Sequence, residues 1–294
     1  MTGTNARNDT DGRPSVTRPA SGAVVTGAGR GLGRQIAALL VERGHTVLVT
    51  DLDEAAAQAA AEELGPNAIP RALDVRDADA VDAARDALLA HADRLDVWVN
   101  NAGVLVSGPA WTQAPDTRRL MLEVNALGTI NGTVSAIDAM RAGPGGHIVN
   151  IVSLAGITAV PGEAVYAASK HAAIGFSLST LADLRLAGVK DIDISCVCPD
   201  GIWTPMLYDK LEDPAAALSF SGKLLQPEEV VAAVGQVLDR PRPVKTVPGW
   251  RGIQARLADV IPRLGLSAAP VVVAQGRRTQ RRLLARAPRD PGVR

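Results

Sequence analysis

Seven short, largely apolar runs set the architecture of this chain. They are Ala23–Thr26, Thr46–Thr50, a run near Ala68–Leu73, Asp96–Val99, His147–Ile151, Ile192–Val197 and Val244–Val247. Stretches with helical spacing separate most of them: Arg34–Arg43, Ala55–Leu64, Asp77–Ala92, Asp116–Met140, Glu163–Ala187 and Pro227–Leu238. A strand without alternation has no face for water, so both faces of the sheet must be covered. Helices between such strands provide the cover and force parallel pairing. Units of about 30 residues fill positions 22–248 with no linker between them. The pattern predicts one doubly wound α/β domain around a mostly parallel seven-stranded sheet.

Three stretches fall outside this rhythm. Residues 1–20 are polar and rich in Asp, Asn, Thr, Pro and Arg, and read as a disordered leader before a domain spanning 21–248. Residues 203–222 read as a long loop with some helix, and 249–294 form an extension. With 31 basic and 31 acidic residues the formal charge is zero, so no global field attracts nucleic acid. No apolar run reaches the roughly 18 residues of a spanning helix, and the leader has no secretory apolar core. Cys196 and Cys198 would share a strand face roughly 7 Å apart, too far to bridge. That points to a reducing compartment, the cytoplasm. His45, His91, His147 and His171 are scattered, with no metal-ligand spacing, so no catalytic metal is expected.

The first strand runs into Thr26-Gly27-Ala28-Gly29-Arg30-Gly31-Leu32-Gly33, and a helix follows. Glycines there let the backbone turn sharply and approach a pyrophosphate, while the helix N-terminus offers free N–H groups to the anion. Asp51 ends the next strand, eighteen residues after Gly33. A carboxylate at that point accepts hydrogen bonds from the adenosine ribose hydroxyls; the plainer alternative is a surface acid capping the helix at 53. Asp51 would repel a 2′-phosphate by about 1–3 kcal/mol, and Leu52 offers no cation. Arg30 argues the other way. NAD is therefore expected over NADP.

Tyr166 and Lys170 lie four apart at the start of the longest helical stretch, on one face and one turn apart. An ammonium near a phenol stabilises the phenolate, so the tyrosine pKa is expected to fall from about 10 toward neutrality. Such a group moves a proton to or from an alcohol or carbonyl oxygen.

Together, the Thr26–Gly33 run, Asn100-Asn101-Ala102-Gly103 after the fourth strand, Ser153 thirteen residues before Tyr166, and the Tyr166–Lys170 pair resemble the classical short-chain dehydrogenase/reductase family over about residues 20–248. That resemblance implies a Rossmann-type fold and a catalytic set of Asn125, Ser153, Tyr166 and Lys170. It makes Tyr166 the general acid/base, with Lys170 lowering its pKa and holding the nicotinamide ribose. Ser153 would bind the substrate oxygen, and Asn125 would anchor a water relayed to Lys170. Cofactor contacts are implied for Gly27, Arg30, Gly31, Leu32, Gly33, Asp51 and Leu52. The same holds for Asp74 and Val75 at the adenine, for Asn101, Ala102 and Gly103 along the cleft, and for Pro199, Ile202 and Thr204 at the carboxamide end. One position departs from the pattern: Asp200 stands where the family has glycine after Pro199. Asp tolerates left-handed backbone better than most residues, and here it could also bring a carboxylate near the nicotinamide.

Val104, Leu105, Val106, Ala155, Trp203, Met206 and Leu207 are candidate pocket residues, with Ser153 and Tyr166 at the reacting oxygen. With no cation among them, the expected substrate is an apolar alcohol or ketone. The alternative is a catalytically silent nucleotide-binding sensor, against which the complete four-residue set argues. An epimerase or dehydratase of the extended relatives would carry a different glycine spacing and a longer substrate domain. The resemblance also implies a homodimer or homotetramer through the helices at 116–140 and 163–187, where Ile174, Leu178 and Leu181 offer a second apolar face.

In the extension, Trp250, Ile253, Leu257, Val260 and Leu264 recur at three and four, interleaved with Arg251, Arg256 and Arg263; Pro262 should kink or end this stripe. Residues 277–294 add seven arginines against one acid, Asp290. Either the stripe packs on the enzyme body or a neighbouring subunit, or it makes a peripheral membrane contact with arginines near anionic headgroups.

Overall fold

The computed structural model describes residues 21–286. The leader at 1–20 and Arg289, Asp290 and Arg294 lie outside the described residues. Seven strands, β1 (Ser21–Thr26), β2 (Thr46–Asp51), β3 (Ala68–Ala72), β4 (Arg94–Asn100), β5 (Gly146–Ile151), β6 (Ile192–Pro199) and β7 (Val244–Val247), form one sheet in the order β3-β2-β1-β4-β5-β6-β7. Every neighbouring pair is parallel. The chain works outward from β1 to β3, then returns to β4 on the other side of β1. The crevice at the carboxyl ends of β1 and β4 is the switch point where such sheets bind ligands.

Helices cover both faces. On one lie α1 (Gly31–Glu42), α2 (Glu54–Leu64) and α8 (Pro227–Asp239); Ile36, Leu40, Val234 and Val237 pack there on Val25, Val49, Val99 and Val149. On the other lie α3 (Ala78–Leu89), α5 (Gly128–Arg141) and α6 (Ala164–Leu186); Val81, Leu88, Met140 and Leu184 pack there on Val24, Leu48, Trp98 and Ile148. Each such fully buried aliphatic side chain stabilises the fold by about 1.5–3 kcal/mol.

The expected helix at 116–140 is interrupted. α4 (Pro115–Leu122) passes through a π-helical turn, Glu123–Leu127, before α5 begins. Asn125 sits in that turn, fully buried. Its amide bonds both backbone groups of Val104, receiving from the Val104 N–H at 2.8 Å and donating to the Val104 carbonyl at 2.9 Å. The extra residue in the turn brings Asn125 to the 101–106 segment, a long-range demand that helical periodicity does not carry.

A short helix α7 (Pro205–Tyr208) and a 3₁₀ segment, Pro214–Phe220, occupy the 203–222 insertion. The extension forms α9 (Gly249–Val260) and α10 (Pro262–Arg286), with Pro262 starting the second helix. α10 docks on the 3₁₀ segment through Gly276, where a methyl would run into the Ala217 carbonyl. Nearby, Gln280 donates to the carbonyls of Lys210 and Asp213 at 3.2 and 2.8 Å. α9 docks on β7 through Gly252, which abuts Thr246. Ile253 and Val260, the core of the expected stripe, stay 64% and 76% exposed. The extension thus sits on the enzyme body by these small and polar residues and by Leu283, which packs beside Leu207 and Phe220, while Ile253 and Val260 are left outside. Among the described residues no helix is long and apolar enough to cross a membrane.

His147 on β5 is buried, with Nε2 2.9 Å from Ser195 Oγ. Burial pushes its imidazole down to about 4, against a smaller opposing pull from Asp193. Between pH 6.5 and about 4 the unfolded chain takes up a proton that the folded chain refuses, so stability present above 6.5 is lost as pH falls through that window. Relative to His147→Gln, the wild type should lose about 2–3 kcal/mol between pH 7 and 4, read by denaturant titration. A pH-independent difference would contradict this.

Candidate active site

A cleft of about 1730 Å³ opens along the carboxyl ends of the strands. At one end is the glycine loop. Gly27 and Gly31 have φ of 62° and 57°, conformations open to glycine at no steric cost. A methyl at Gly33 would collide with the Gly27 carbonyl and the Asn101 amide, so α1 starts hard against the loop. The space over Gly31 is clear: a Cβ there would meet nothing within 4 Å. Asn101 locks the loop by donating Nδ2 to the carbonyls of Thr26 and Gly27, each at 2.9 Å. The α1 N-terminus has no side-chain cap and no acid in its first turn, so its free N–H groups face the cleft. An anion-receiving turn with a clear cradle fits the pyrophosphate of a dinucleotide.

Asp51 lies beside this turn. Its Oδ2 accepts from Gly29 N–H at 3.0 Å and its Oδ1 from Asp53 N–H at 3.2 Å. The cap of α2 is Asp53, which accepts from Ala56 N–H, so Asp51 is not the helix cap. Arg30, Leu32, Leu52, Asp74, Val75, Ala102 and Gly103 line the same part of the cleft. So does Arg76, which no sequence motif singled out; its guanidinium, 2.6 Å from Asp74, holds that carboxyl below its ordinary range.

At the other end, Ser153 follows β5, and its Oγ accepts from Ala155 N–H at 3.1 Å. Tyr166 and Lys170 come from the first turns of α6, both buried. Lys170 Nζ donates to the Ile151 carbonyl at 3.1 Å and lies 5.7 Å from the Tyr166 ring centre. Asn125 does not line the cleft. It stands behind Gly103, whose Cβ position would be 3.2 Å from Asn125 Oδ1 and 3.6 Å from Lys170 Nζ. It also donates to Ser169 Oγ at 3.0 Å, joining the π-helical turn to α6.

The pKa expectation for Tyr166 is corrected. Burial raises the phenol above its ordinary value, Glu163 raises it further, and the hydrogen bond with Ser153 only partly opposes them. Burial also draws Lys170 down to about 8. Desolvation thus disfavours the charged form of both groups, leaving Tyr166 a neutral phenol and Lys170 an ammonium that gives up its proton more readily than a free one.

Pro199, Ile202, Thr204, Ala155 and Met206 line the substrate end, along with Val104, Leu105, Val106 and Leu207. Trp203 does not. Its ring tilts on Tyr208 at 5.5 Å and packs beside Leu207, Phe220 and Leu224, because the turn before α7 sends alternate side chains to opposite sides. Six further charged residues reach the lining: Glu163, Asp200, Asp209, Lys210, Arg251 and Asp259. Glu163 is 2% exposed, accepts from Ser219 Oγ at 2.6 Å, and is pushed by burial to about 7. Its place three residues before Tyr166, on the same helix face, was a signal available in the sequence. Nothing local marked Arg251.

The model of the short chain dehydrogenase family matches residues 21–215. The chain is 39% identical over 198 residues to the sex determination protein tasselseed-2 of Zea mays, a match covering 64% of this chain and 56% of that protein. It is 34% identical over 219 residues to the cyclopentanol dehydrogenase of Comamonas testosteroni, covering 72% and 86%. A crystal structure of a short chain dehydrogenase/reductase from Burkholderia phymatum in complex with NAD superposes with a TM-score of 0.74 at 25% identity, over 84% of this chain and 95% of that one. Sequence, sheet order and cleft agree: the chain belongs to the short-chain dehydrogenase/reductase family.

Proposed function

We propose that this oxidoreductase transfers a hydride between NAD and an apolar secondary alcohol or its ketone, with Tyr166 as the general acid/base. The observation that carries the reading is the meeting of Ser153, Tyr166 and Lys170 on one wall of a cleft whose other end is the glycine loop. When bound, the nicotinamide takes up or returns the hydride. Ser153 Oγ holds the substrate oxygen. Tyr166 Oη takes the hydroxyl proton during oxidation and gives it back during reduction. Lys170 contributes an ammonium that stabilises the phenolate while it exists, and Asn125 fixes the backbone in front of it. Asp74 and Val75 flank the adenine, Asp51 the ribose, and Pro199, Ile202 and Thr204 the carboxamide. No observation favours the silent-sensor reading. Tyr166→Phe should lower turnover by at least about 10³-fold while NADH still binds by fluorescence titration; near-normal turnover would reject the assignment.

Asp51 supports NAD over NADP, because its carboxylate occupies the ground a 2′-phosphate would need and is fixed there by two backbone N–H groups. We expect kcat/KM to favour NAD by at least about tenfold, and Asp51→Ala to narrow the gap. Preference for NADP in the wild type would mean that Arg30 and Arg76 prevail.

A homodimer or homotetramer through α4–α6 fits Leu120, Leu127 and Val134, which are seven residues apart and all exposed. The extension is a second contact surface: eight arginines stand against one acid, Asp259, between 249 and 286, beside the exposed Ile253, Val260 and Val271. We assign it to an anionic lipid surface. Light scattering should give a multiple of the 30.5 kDa chain mass, and the protein should co-sediment with phosphatidylglycerol vesicles in a salt-sensitive way. A monomer rejects the first assignment, and protein left in the supernatant at low salt rejects the second.

A further inference from the structure

A single ion pair joins Asp200, in the loop after β6, to the segment after β7. Arg251, in the first turn of α9, donates Nε to Asp200 Oδ2 at 2.7 Å. The pair is well enclosed: the Asp200 side chain is 9% exposed and that of Arg251 20%. Asp200 is fixed from both sides. Its N–H donates to the Val247 carbonyl at 2.8 Å, and its Oδ1 accepts from Gly201 N–H at 3.0 Å. The rest of the guanidinium reaches Ser221 Oγ at 3.4 Å and Gln254 Oε1 at 3.2 Å. Gly222 packs on the carboxylate so closely that a side chain there would strike it. Arg251 therefore ties three segments together: the loop after β6, the end of the 203–222 insertion, and α9.

This tie has two effects on the cleft. It holds α9 and the start of α10 at the cleft, so that Leu257, Ala258, Leu266 and Val272 line it together with Val104, Ala155 and Tyr166. It also cancels a charge. Arg251 lines that lobe, and an unpaired guanidinium there would be a receptor for carboxylates. The other cation of the lobe, Lys210, lies near enough to Glu163 to pull its pKa down. The cleft is also roomy, with about 1730 Å³ between the glycine loop and the mouth.

We propose that Asp200 and Arg251 are specificity-determining residues whose ion pair holds the C-terminal helices as the wall of a lobe for a bulky, uncharged, apolar substrate body and masks the guanidinium that would otherwise recruit a carboxylate. The inference rests on the oxidoreductase reading for the reaction, but the binding preference is measurable without turnover.

The experiment uses full-length protein and three ketones: cyclohexanone, the fused-ring 2-decalone, and 3-oxocyclohexanecarboxylate. Trp250, whose ring lies 5.6 Å from the Arg251 guanidinium, reports binding by its fluorescence. NADH consumption reports turnover. The wild type should bind decalone at least tenfold more tightly than cyclohexanone, and the carboxylate most weakly. Arg251→Ala should cut the decalone-to-cyclohexanone preference at least fivefold, through KM more than kcat. Asp200→Asn should raise carboxylate binding relative to cyclohexanone at least fivefold. Arg251→Lys, which keeps the charge but not the fork, should fall between wild type and Arg251→Ala, and it carries the size test if the alanine variant does not fold. Preferences unchanged in the variants, or a wild type that favours cyclohexanone, overturn the inference. If the wild type binds as expected but reduces none of the ketones with NADH or NADPH, the proposed function fails and the specificity inference stands.

Discussion

A pair of buried asparagines organises the centre of the molecule. Asn100 and Asn150 are direct partners across β4 and β5, and Asn100 Nδ2 donates to Asn150 Oδ1 at 2.8 Å. In a sheet otherwise closed to water, each polar group needs a partner or costs about 1–3 kcal/mol. The partners are specific. Trp98 Nε1 donates to Asn100 Oδ1 at 2.8 Å, Asn100 also reaches Thr133 on α5, and Asn150 donates to Ser177 on α6 at 2.7 Å. Apolar packing alone would let the two helices slide; these bonds fix their register. Gly132 lets α5 come close enough, since a side chain there would strike Asn100 and Trp98. Because Tyr166 and Lys170 ride on α6, and Asn125 lies just ahead of α5, the amide pair fixes where the reacting groups stand.

The parts of this design that rest on local rules were legible in the sequence. Unbroken apolar runs mark strands buried on both faces, and all seven occur, within a few residues of their expected bounds. The glycine loop was legible because Gly27 and Gly31 adopt the backbone that glycine permits. What escaped depends on partners far away in the chain. The π-helical turn answers to Val104, the outward turn of Trp203 to Phe220 and Leu224, and the place of Arg251 to Asp200. No periodicity records such pairings. The phenol of Tyr166 escaped for another reason: spacing brings an ammonium near, but burial decides which protonation state is favoured, and burial is a property of the whole fold.

The interior of the site is consequently poor in free charge. Lys170 is drawn toward neutrality, Tyr166 is held protonated, Glu163 titrates near neutral pH, and Arg251 is paired. In such surroundings a charge brought in by a ligand acts with little screening, and its effect on neighbouring pKa values is correspondingly large.

The docking of the C-terminal helices inverts the usual link between hydrophobicity and constraint. Gly252 and Gly276 hold α9 and α10 in place by lacking side chains, and Gln280 by two carbonyl bonds, while Ile253 and Val260 touch little of the body. Such a joint tolerates loss of atoms and resists their gain. Within a single folded chain, trimming Ile253 or Val260 leaves the seat intact, whereas one added methyl at position 276 wedges the helix away from the wall it completes. The positions that a hydropathy profile would pass over are therefore the ones at which the segment's sequence is most tightly confined.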